Sequence, residues 1–405
     1  MRTSLGYVTP RMAGLIIAPK ARLFHGHDWV YGTEVRAVYG DPQPGDVISL
    51  KDQRDRYLGS AIYNPQSQIV ARRFSRRKQG LDADFFARRI TQAVELRERL
   101  LPGEQLARLV WSESDGLPGL IVDRYAEVLV VQTLTLAMLQ QVEVICDALQ
   151  AVLNPQCILL RNDSPMLVAE GIEPSTCVMR GKLPAPFVAT GRGTQFLVDP
   201  SAGQKTGLYL DQMDNYQAVA KLAKGRRVLD CFCNQGGFAL ACARAGAEQV
   251  TAVDISATAV QSVRENARLN GVSIEAIEAN VFDFLKQESD AVRSGAAPRW
   301  DLIILDPPSF TRNRKSVSGA QRGYKEIHLR AMQMLPVGGV LSTFCCSHHI
   351  STPLFRQVIA EAAVDGHCTL RQIATHSQSA DHPILLNIPE TEYLKGATFE
   401  LVPGR

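Results

Sequence analysis

The chain has 405 residues, of which 45% are hydrophobic and 21% are charged, with 30 Gly and 21 Pro. This is an ordinary globular composition, sufficient for two or three domains, and it excludes a disordered, collagenous or coiled-coil protein. The formal net charge is +3, yet residues 1–78 contain 13 Lys and Arg against 6 Asp and Glu, so this segment carries +7 and the remainder −4. A basic N-terminal segment predicts either contact with a nucleic acid or a solvated charged surface.

Cysteine usage and hydropathy favour a cytoplasmic protein. No apolar run approaches the ~18 residues that a membrane span requires, and the short apolar stretch that ends at Pro19 is not typical of a signal peptide. The nine cysteines include the adjacent Cys345 and Cys346, and none occurs in the first 145 residues, which is unlike a disulfide framework. We therefore expect a reducing compartment, no membrane association and no metal site.

The N-terminal part is predicted to form a small β-barrel. Short strands at 46–50, 57–63 and 68–74 are separated by turns rich in Gly, Pro, Asp and Asn. A helical pattern follows over 82–101 and is closed by Pro102-Gly103. We place the boundary of the first domain just before this helix.

The middle region, residues 108–185, is predicted to be an α+β unit. Its expected elements are strands at 109–111, 120–122, 128–132 and 157–161, with a helix near 137–153.

The remainder of the chain alternates strands and helices. The predicted strands are 227–230, 249–253, 301–305 and 339–345, and the predicted helices begin at Phe238, Ala257, Tyr324 and Thr352. Near-continuous apolar strands between amphipathic helices indicate a parallel, doubly wound α/β sheet. The chain is thus divided into a β-barrel at 1–78, an α+β domain at 79–190 and a Rossmann-like domain at 191–405.

A Gly-rich turn joins the first strand of the third domain to its helix. The turn contains Gly236 and Gly237, and Asp254 ends the next strand 17 residues beyond Gly237. Such a turn lets a ligand approach backbone amides, and an acidic residue after the second strand can bind ribose hydroxyls. The dinucleotide pattern Gly-x-Gly-x-x-Gly is absent, which favours an adenosyl ligand over a nicotinamide. Tight strand-to-helix packing is the alternative explanation of the glycines.

Two strand ends of the third domain carry candidate catalytic groups. Asp306-Pro307-Pro308 follows one predicted strand, and Cys345-Cys346 follows the next. Ligands collect beyond the carboxyl ends of strands in such sheets, and consecutive strands joined by one crossover are expected to be neighbours. We therefore expect Asp306 and Cys346 to face one cleft, with a rigid turn and a buried apolar thiol as the structural alternatives.

The chain resembles the S-adenosylmethionine-dependent large-subunit (23S) ribosomal RNA methyltransferases of the type that makes 5-methylcytosine in bacteria. The motifs that carry the resemblance cover nearly the whole chain: Gly59-x4-Asn64-Pro65-x-Ser67, Glu113-Ser-Asp-Gly-Leu-Pro-Gly119, Lys205-Thr-Gly-x-Tyr-Leu-Asp-Gln212, Gly236-Gly-Phe238, Asp306-Pro-Pro308, Arg322-Gly-Tyr-Lys325, Cys346-Ser347 and Asp381-His-Pro383. The resemblance implies a PUA-like, RNA-binding β-barrel, a family-specific α+β domain and a Rossmann-like catalytic domain. The implied cofactor is S-adenosylmethionine and the implied partner is 23S ribosomal RNA, free or in an assembly intermediate. Both a monomer and a homodimer stay open.

The resemblance also implies roles for individual residues. Those implied to bind the cofactor lie in or before the Gly-rich loop and at the following strand ends: Lys205, Thr206, Asp211, Asp230, Asn234, Gly236, Gly237, Asp254, Asn280 and Asp306. Within this set, Asp254 would hold the ribose and Asn280 would meet the adenine edge. Cys346 matches the nucleophile.

Three positions depart from the family pattern. Met213 stands where the family motif Leu-Asp-Gln-Arg has its arginine, and Ser309 stands where two-cysteine relatives carry a second thiol. Release of the product is then expected to proceed without that thiol. Cys345 replaces what is often serine, so two adjacent thiols are candidates in any labelling experiment.

The implied chemistry requires a thiol and an acid. Addition of a thiolate to cytosine C6 allows C5 to attack a methyl donor, after which C5 loses a proton and the thiol departs. Cys346 is the predicted nucleophile, and Asp306 would stabilise charge at N3 or donate a proton there. RNA contacts are predicted for residues at the end of the barrel and beside the cleft: Arg72, Arg73, Arg76, Arg77, Phe310, Arg322 and Tyr324. For the last three, core packing or a surface ion pair explains the residue equally well.

Two other functions are consistent with these motifs. The segment from Asp306 to Phe310 also resembles the motif of methyltransferases that act on an exocyclic amine or ring nitrogen, which need no thiol, so Cys346 separates the two hypotheses. A non-catalytic RNA-binding or ribosome-assembly protein is a third hypothesis, which the cofactor loop and both strand-end motifs disfavour. A dehydrogenase ranks last.

Overall fold

A computed structural model describes residues 13–201, 207–311 and 316–403. These residues form two compact units. Unit 1 comprises the described residues of 13–185, 200–201 and 381–391, and unit 2 comprises those of 186–199, 207–380 and 392–403. None of the helices in the described ranges is long and apolar enough to cross a membrane.

Unit 1 begins with a six-stranded sheet that closes on a small core. Its strands are β1 (Gly14–Ile17), β2 (Trp29–Tyr31), β3 (Val35–Tyr39), β4 (Val47–Lys51), β5 (Tyr57–Tyr63) and β6 (Ile69–Ser75), in the order β2-β6-β5-β4-β1-β3. Among the described residues of this sheet, β1 and β4 are the one pair of neighbours that run parallel. Alternate strand residues such as Leu15, Ile48 and Leu50 are fully buried, as the period of two in a strand requires. The predicted strands of this region are confirmed.

The rest of unit 1 packs a five-stranded sheet against helices. The elements are α1 (Ala83–Leu100), β7 (Leu106–Trp111), β8 (Leu120–Tyr125), β9 (Val128–Thr133), α2 (Leu136–Gln140), α3 (Val142–Leu153), β10 (Cys157–Asn162) and β11 (Ser175–Gly181), with strand order β11-β10-β9-β8-β7. Helix α1 begins where the Asp82 carboxylate accepts a hydrogen bond from the Phe85 amide, which is an N-cap. The helix predicted near 137–153 is interrupted at Gln141.

A segment from the C-terminal part of the chain completes unit 1. Arg97 makes a buried bidentate ion pair with Asp115, at 2.6 and 2.9 Å, and also donates to the backbone oxygen of Asp381 at 2.9 Å. The Asp381 carboxylate accepts from the Arg108 amide at 2.8 Å. Because these buried charges are paired and hydrogen-bonded, they hold residues 381–391 in unit 1. The domain predicted at 191–405 includes this segment, and the three-domain division itself stays a prediction.

Unit 2 is built on a seven-stranded sheet. Its strands are β14 (Arg227–Cys231), β15 (Gln249–Asp254), β16 (Glu275–Glu278), β17 (Leu302–Leu305), β18 (Val340–Cys345), β19 (Thr369–His376) and β20 (Lys395–Val402), in the order β16-β15-β14-β17-β18-β20-β19, and a separate hairpin is formed by β12 (Phe187–Gly191) and β13 (Thr194–Val198). Its helices are α4 (Met213–Ala220), α5 (Gly237–Arg244), α6 (Ala257–Leu269), α7 (Val281–Arg293), α8 (Val317–Met334) and α9 (Thr352–Asp365). Five neighbouring strands are parallel, and β20 runs antiparallel between β18 and β19. The predicted doubly wound sheet is therefore confirmed, whereas the β12–β13 hairpin, α4, β16, α7, β19 and β20 were not predicted.

Candidate active site

The turn between β14 and α5 is shaped for close approach of a ligand. Gly236 has φ +83°, a left-handed conformation that favours glycine, and it is the N-cap of α5. A Cβ atom at Gly237 would clash with the ring of Tyr216, so the backbone and the ring pack closely there. Tyr216 and Gly237 line one small cavity with Tyr209, Cys233 and other residues of unit 2. Gly236 thus shapes the turn, and Gly237 packs against Tyr216 and lines the cavity.

Asp254, at the end of β15, fixes the shape of this turn. One carboxylate oxygen accepts a hydrogen bond from the Asn234 amide at 3.0 Å, and the other accepts from the Ser256 amide at 2.9 Å. Asn234 itself has φ +47°, a conformation that Asn tolerates better than most residues. Each carboxylate oxygen can accept more than one hydrogen bond, so Asp254 can hold the loop and also accept from a ligand hydroxyl.

Asp230 lies beneath the turn and is fully buried. One of its carboxyl oxygens accepts from the Ala239 amide at 3.0 Å, and the other has no hydrogen-bond partner among the described residues. Burial raises the pKa of Asp230 well above its usual value, and the charges of Asp306 and Asp254 raise it further. An incompletely bonded buried carboxyl group beside the loop is a place where a donor from a ligand would be stabilising.

The structure brings Asp306 and Cys346 to the same edge of the sheet. Strands β17 and β18 are parallel neighbours, with Leu305 level with Thr343. The prediction that these two strands are neighbours is therefore confirmed. Burial raises the pKa of the Tyr209 hydroxyl, and the charges of Asp306 and Cys346 are the next largest causes of that shift. Asp306 and Cys346 are therefore both close enough to Tyr209 to affect the pKa of its hydroxyl group.

Two further side chains, Gln212 and Tyr393, hold the carboxylates of Asp306 and Asp211 by hydrogen bonds. Gln212 donates to a carboxylate oxygen of Asp306 at 3.0 Å, and its own amide oxygen accepts from Asn215 at 2.7 Å. Asp211 is buried, and its carboxylate accepts from the Tyr393 hydroxyl at 2.6 Å. The orientation of Asp306 is thus set by hydrogen bonds within unit 2.

The two adjacent thiols have different environments. Cys345 ends β18, is fully buried and pairs in register with Lys395 of β20. Cys346 is partly exposed. The buried ammonium group of Lys395 donates to the backbone oxygen of Ser347 at 2.9 Å. Burial lowers the pKa of Lys395, and the thiolates of Cys345 and Cys346 oppose that effect. A cation therefore lies beside the strand end that carries the predicted nucleophile.

Hydroxyl groups and aromatic rings lie next to Ser347, the residue that follows Cys346. Ser347 is within 2.9 Å of the Ser309 hydroxyl and 3.2 Å of the Tyr324 hydroxyl. Tyr324 is 1% exposed, and its ring lies 4.7 Å from that of Phe310. Core packing explains Tyr324. Phe310 is partly buried and also packs against that core, whereas Arg322 is exposed on α8.

The remaining predicted cofactor residues differ in position. Asn280 is exposed and caps α7, because its side-chain oxygen accepts from the Phe282 amide at 2.9 Å. Lys205 and Thr206 lie outside the described residues. Met213, the departure from the family motif, is buried and lines the same cavity as Tyr209.

The four arginines predicted to contact RNA lie in unit 1: Arg72, Arg73, Arg76 and Arg77. Arg72 pairs with Glu113 at 2.6 Å, and Arg73 pairs with Asp28 at 2.6 Å. Arg76 and Arg77 are exposed. The basic run therefore divides into two arginines held by ion pairs within the protein and two that face solvent.

Sequence reasoning missed several residues of the site. Tyr209 and Gln212 lie within a motif that was recognised, but no residue pattern assigned them a contact. Lys395 had no local signal, because its place beside Cys345 depends on the antiparallel return of β20. Tyr393 was missed for the same reason, since it reaches Asp211 from 182 residues away. Among the described residues, no group of three or more His, Cys, Asp or Glu side chains is placed to hold a metal ion.

Comparisons with known proteins agree with this geometry. Residues 176–374 match the family model of S-adenosylmethionine-dependent methyltransferases, and residues 18–76 match that of a PUA-like domain, which confirms the predicted fold class. The chain is 40% identical to ribosomal RNA large subunit methyltransferase I of Shewanella denitrificans, over 91% of this chain and 94% of that one. It is 39% identical to the protein of the same name from Erwinia tasmaniensis, over 92% and 95% of the two chains.

Solved structures support the fold alone. A crystal structure described as that of a SAM-dependent methyltransferase from Streptococcus mutans superposes with a TM-score of 0.81, at 20% identity, over 96% of this chain and all of that chain. Another, of a methyltransferase complexed with SAH, gives a TM-score of 0.82 with the same identity and coverage.

Proposed function

Because the chain belongs to the family of ribosomal RNA large subunit methyltransferase I, we propose that it methylates C5 of a cytosine in 23S ribosomal RNA through a covalent bond from Cys346. It is an S-adenosylmethionine-dependent methyltransferase. The observation that carries the proposal is the position of the partly exposed Cys346 thiol after β18, next to strand β17, which Asp306 directly follows. We expect the protein to act in the cytoplasm.

The residues of the β14–α5 turn fit S-adenosylmethionine. The buried Asp230 has a carboxyl oxygen without a partner among the described residues, and Asp254 can accept further hydrogen bonds beyond the loop. Acidic side chains suit a ligand that carries an ammonium and a sulfonium charge, together with ribose hydroxyls. We propose that Asp230, Asn234, Gly236, Gly237 and Asp254 hold the cofactor.

Further cofactor contacts are proposed for Asp211, Asn280 and Asp306, and for Lys205 and Thr206, which lie outside the described residues. Asp306 shares Coulomb interactions with Tyr209 and Tyr216, which line the cavity beside Gly237. When bound, S-adenosylmethionine supplies the methyl group that cytosine C5 accepts.

The chain's own residues make C5 reactive. The Cys346 thiolate forms a bond to C6, and the ring electrons shift toward C5 while N3 takes up charge or a proton. After methylation, C5 loses its proton, the electron pair returns to the ring and the C6–S bond breaks, so the thiolate is regenerated. We propose that Asp306 faces N3, because it directly follows β17 beside the strand end that carries Cys346 and Gln212 fixes its carboxylate by a hydrogen bond.

Lys395, on the neighbouring strand β20, supports the attack of the Cys346 thiolate on C6. The thiolates of Cys345 and Cys346 raise the pKa of Lys395 against the effect of burial. An electrostatic coupling acts equally in both directions, so the ammonium group favours the thiolate form that attacks C6. Lys395 acts through Cys346 and is a positioning residue.

The proposal is tested by mapping 5-methylcytosine in 23S ribosomal RNA from cells with and without this protein. We expect one cytosine to lose its C5 methyl group in the deletion strain and to regain it with the wild-type chain. Complementation with Cys345→Ala should restore the mark, and complementation with Cys346→Ala should not. A missing methyl group on an exocyclic amine or ring nitrogen would favour the thiol-independent reaction instead, and unchanged RNA would favour the non-catalytic hypothesis.

A further inference from the structure

A basic groove lies in unit 1 between the end of β6 and helix α1. It has a volume of about 560 Å³. Its lining combines residues of β6, the following segment, α1 and the loop after β7, with Asp28. The PUA-like match ends at residue 76, so the helix face lies outside it.

The two acidic residues that line the groove are already neutralised. Asp28 pairs with Arg73 at 2.6 Å. Although burial acts to raise it, the pKa of Glu113 is held below its usual value, chiefly by Arg72, which lies 2.6 Å away. Neither carboxylate is therefore available to balance the other arginines of the groove.

Four arginines supply the excess positive charge of the groove: Arg76, Arg77, Arg88 and Arg89. The first three are exposed, and Arg89 is partly buried. Arg88 has a pair 3.5 Å long with Asp84, but both side chains are more than half exposed, and such surface pairs are weak. The guanidinium of Arg89 lies 5.8 Å from the centre of the Phe85 ring, which limits its freedom.

The groove has no aromatic side chain on which a base can stack. Its two aromatic residues, Phe74 and Phe85, are only 5% and 2% exposed and belong to the core of unit 1. Proteins that hold single strands combine positive charge with exposed aromatic rings, whereas double-stranded RNA is recognised through its shape and its phosphates. The chemistry of this groove therefore suits the phosphate groups of a double helix rather than unstacked bases.

We propose that this groove binds the phosphate backbone of a double-helical stretch of the RNA substrate, with α1 contributing Arg88 and Arg89. The inference rests on the proposed function for the identity of the polyanion. Such contacts position the RNA without reading its sequence. They would hold a double-helical stem of the RNA while the target cytosine binds beside Cys346.

The test compares two double variants of the full chain. Arg88→Gln/Arg89→Gln removes the charges that α1 contributes to the groove and keeps good helix formers. The matched control is Arg54→Gln/Arg99→Gln, which removes two exposed arginines of unit 1 that do not line the groove, one of them also on α1. The probes are a 20-base-pair RNA hairpin and a single strand of equal length, titrated without S-adenosylmethionine across a range of salt concentrations.

We expect the groove variant to bind the hairpin about tenfold more weakly than the parent, with a salt slope reduced by about 0.9 for each phosphate that the variant no longer neutralises. The control should match the parent. Equal hairpin affinity in the groove variant and the control would overturn the inference, and so would a weakening confined to the single strand. Failure of the proposed function is distinguishable, because it would show as absent 5-methylcytosine with the parent chain at saturating RNA, whatever the two variants do.

Discussion

The buried ammonium group of Lys395 donates a hydrogen bond to the backbone oxygen of Ser347 at 2.9 Å, one residue beyond Cys346. This relationship depends on the antiparallel pairing of β18 with β20, in which Lys395 is level with Cys345. An ammonium group held at low exposure next to a thiol is an established way to favour a thiolate. The fold thus places a cation at the strand end where the proposed reaction requires an anion.

Removing this cation should change how methyl transfer depends on pH. In Lys395→Met the acidic limb of the pH–rate profile should move upward by about 1 pH unit or more, because the thiolate loses an opposite charge nearby. Lys395→Arg keeps a positive charge at this position, so the acidic limb should lie close to that of the parent. The measurement is kcat/KM for RNA from pH 5.5 to 9. A uniform loss of rate at every pH, without a shift, would assign Lys395 a purely structural role.

The two thiols should differ in reactivity toward an alkylating reagent. Cys346 is partly exposed and should be modified by iodoacetamide, whereas the fully buried Cys345 should be protected in the native protein. A Cys177→Ser background removes the exposed thiol of β11. Peptide mass spectrometry after brief labelling distinguishes the sites when Cys345→Ala and Cys346→Ala are compared. Faster labelling of Cys345 would mean that the strand end is open in solution.

Asp254→Asn should weaken cofactor binding. The amide offers one acceptor where the carboxylate has two, so either the Asn234 or the Ser256 amide loses its partner and the turn is no longer held. A hydrogen bond to a charged group contributes roughly 1.5–3 kcal/mol, which corresponds to a loss of affinity of about 10- to 150-fold.

The matched control is Asp301→Asn. Asp301 also accepts from a backbone amide, that of Arg227 at 3.0 Å, but it lies before β17, at the opposite end of the sheet. Calorimetry with S-adenosylmethionine should show a normal affinity for this variant. Unchanged affinity in Asp254→Asn would remove Asp254 from the proposed binding site.

His328 should make the stability of the protein fall in mild acid. It is fully buried, with Nδ1 donating to the Tyr324 carbonyl oxygen and Nε2 accepting from the Thr343 hydroxyl at 2.8 Å. Burial lowers its pKa from 6.5 to about 4. Between these values the unfolded chain binds a proton that the folded chain does not, so the stabilisation is present above pH 6.5 and is lost as the pH falls toward 4.

The expected size of this effect is about 3 kcal/mol over that interval. Urea unfolding at several pH values should therefore show a shallower decline below pH 6.5 in His328→Asn than in the parent. The exposed His25→Gln provides the control and should follow the parent curve. A decline of equal steepness in His328→Asn would show that other groups account for the acid sensitivity.

The position of Asp306 and Cys346 after two neighbouring strands could be predicted because it follows from local patterns and one topological rule. Asp306 and Cys346 each follow an apolar run, and consecutive parallel strands joined by a single crossover are usually neighbours. The glycine turn and Asp254 are likewise defined by residues close in sequence. These predictions did not require knowledge of any distant contact.

Contacts between distant segments could not be predicted in the same way. Lys395 reaches the strand end through β20, whose antiparallel insertion beside β18 is not encoded in its own periodicity. Arg72 and Arg73 look like part of a uniform basic run, but the fold supplies Glu113 and Asp28 as partners for them. A run of like charges in sequence says nothing about which members are neutralised by carboxylates from elsewhere.

The central claim, a covalent bond between Cys346 and C6 of the target cytosine, is tested most directly by trapping the adduct. RNA that carries 5-fluorocytosine at the target position cannot lose a proton from C5 after methylation, so the C6–S bond should persist. With S-adenosylmethionine present, mass spectrometry of the digested complex should find the nucleotide attached to the peptide of Cys346, in the parent and in Cys345→Ala but not in Cys346→Ala. Methyl transfer by Cys346→Ala at the parental rate, or an adduct on Cys345, would contradict the proposed mechanism.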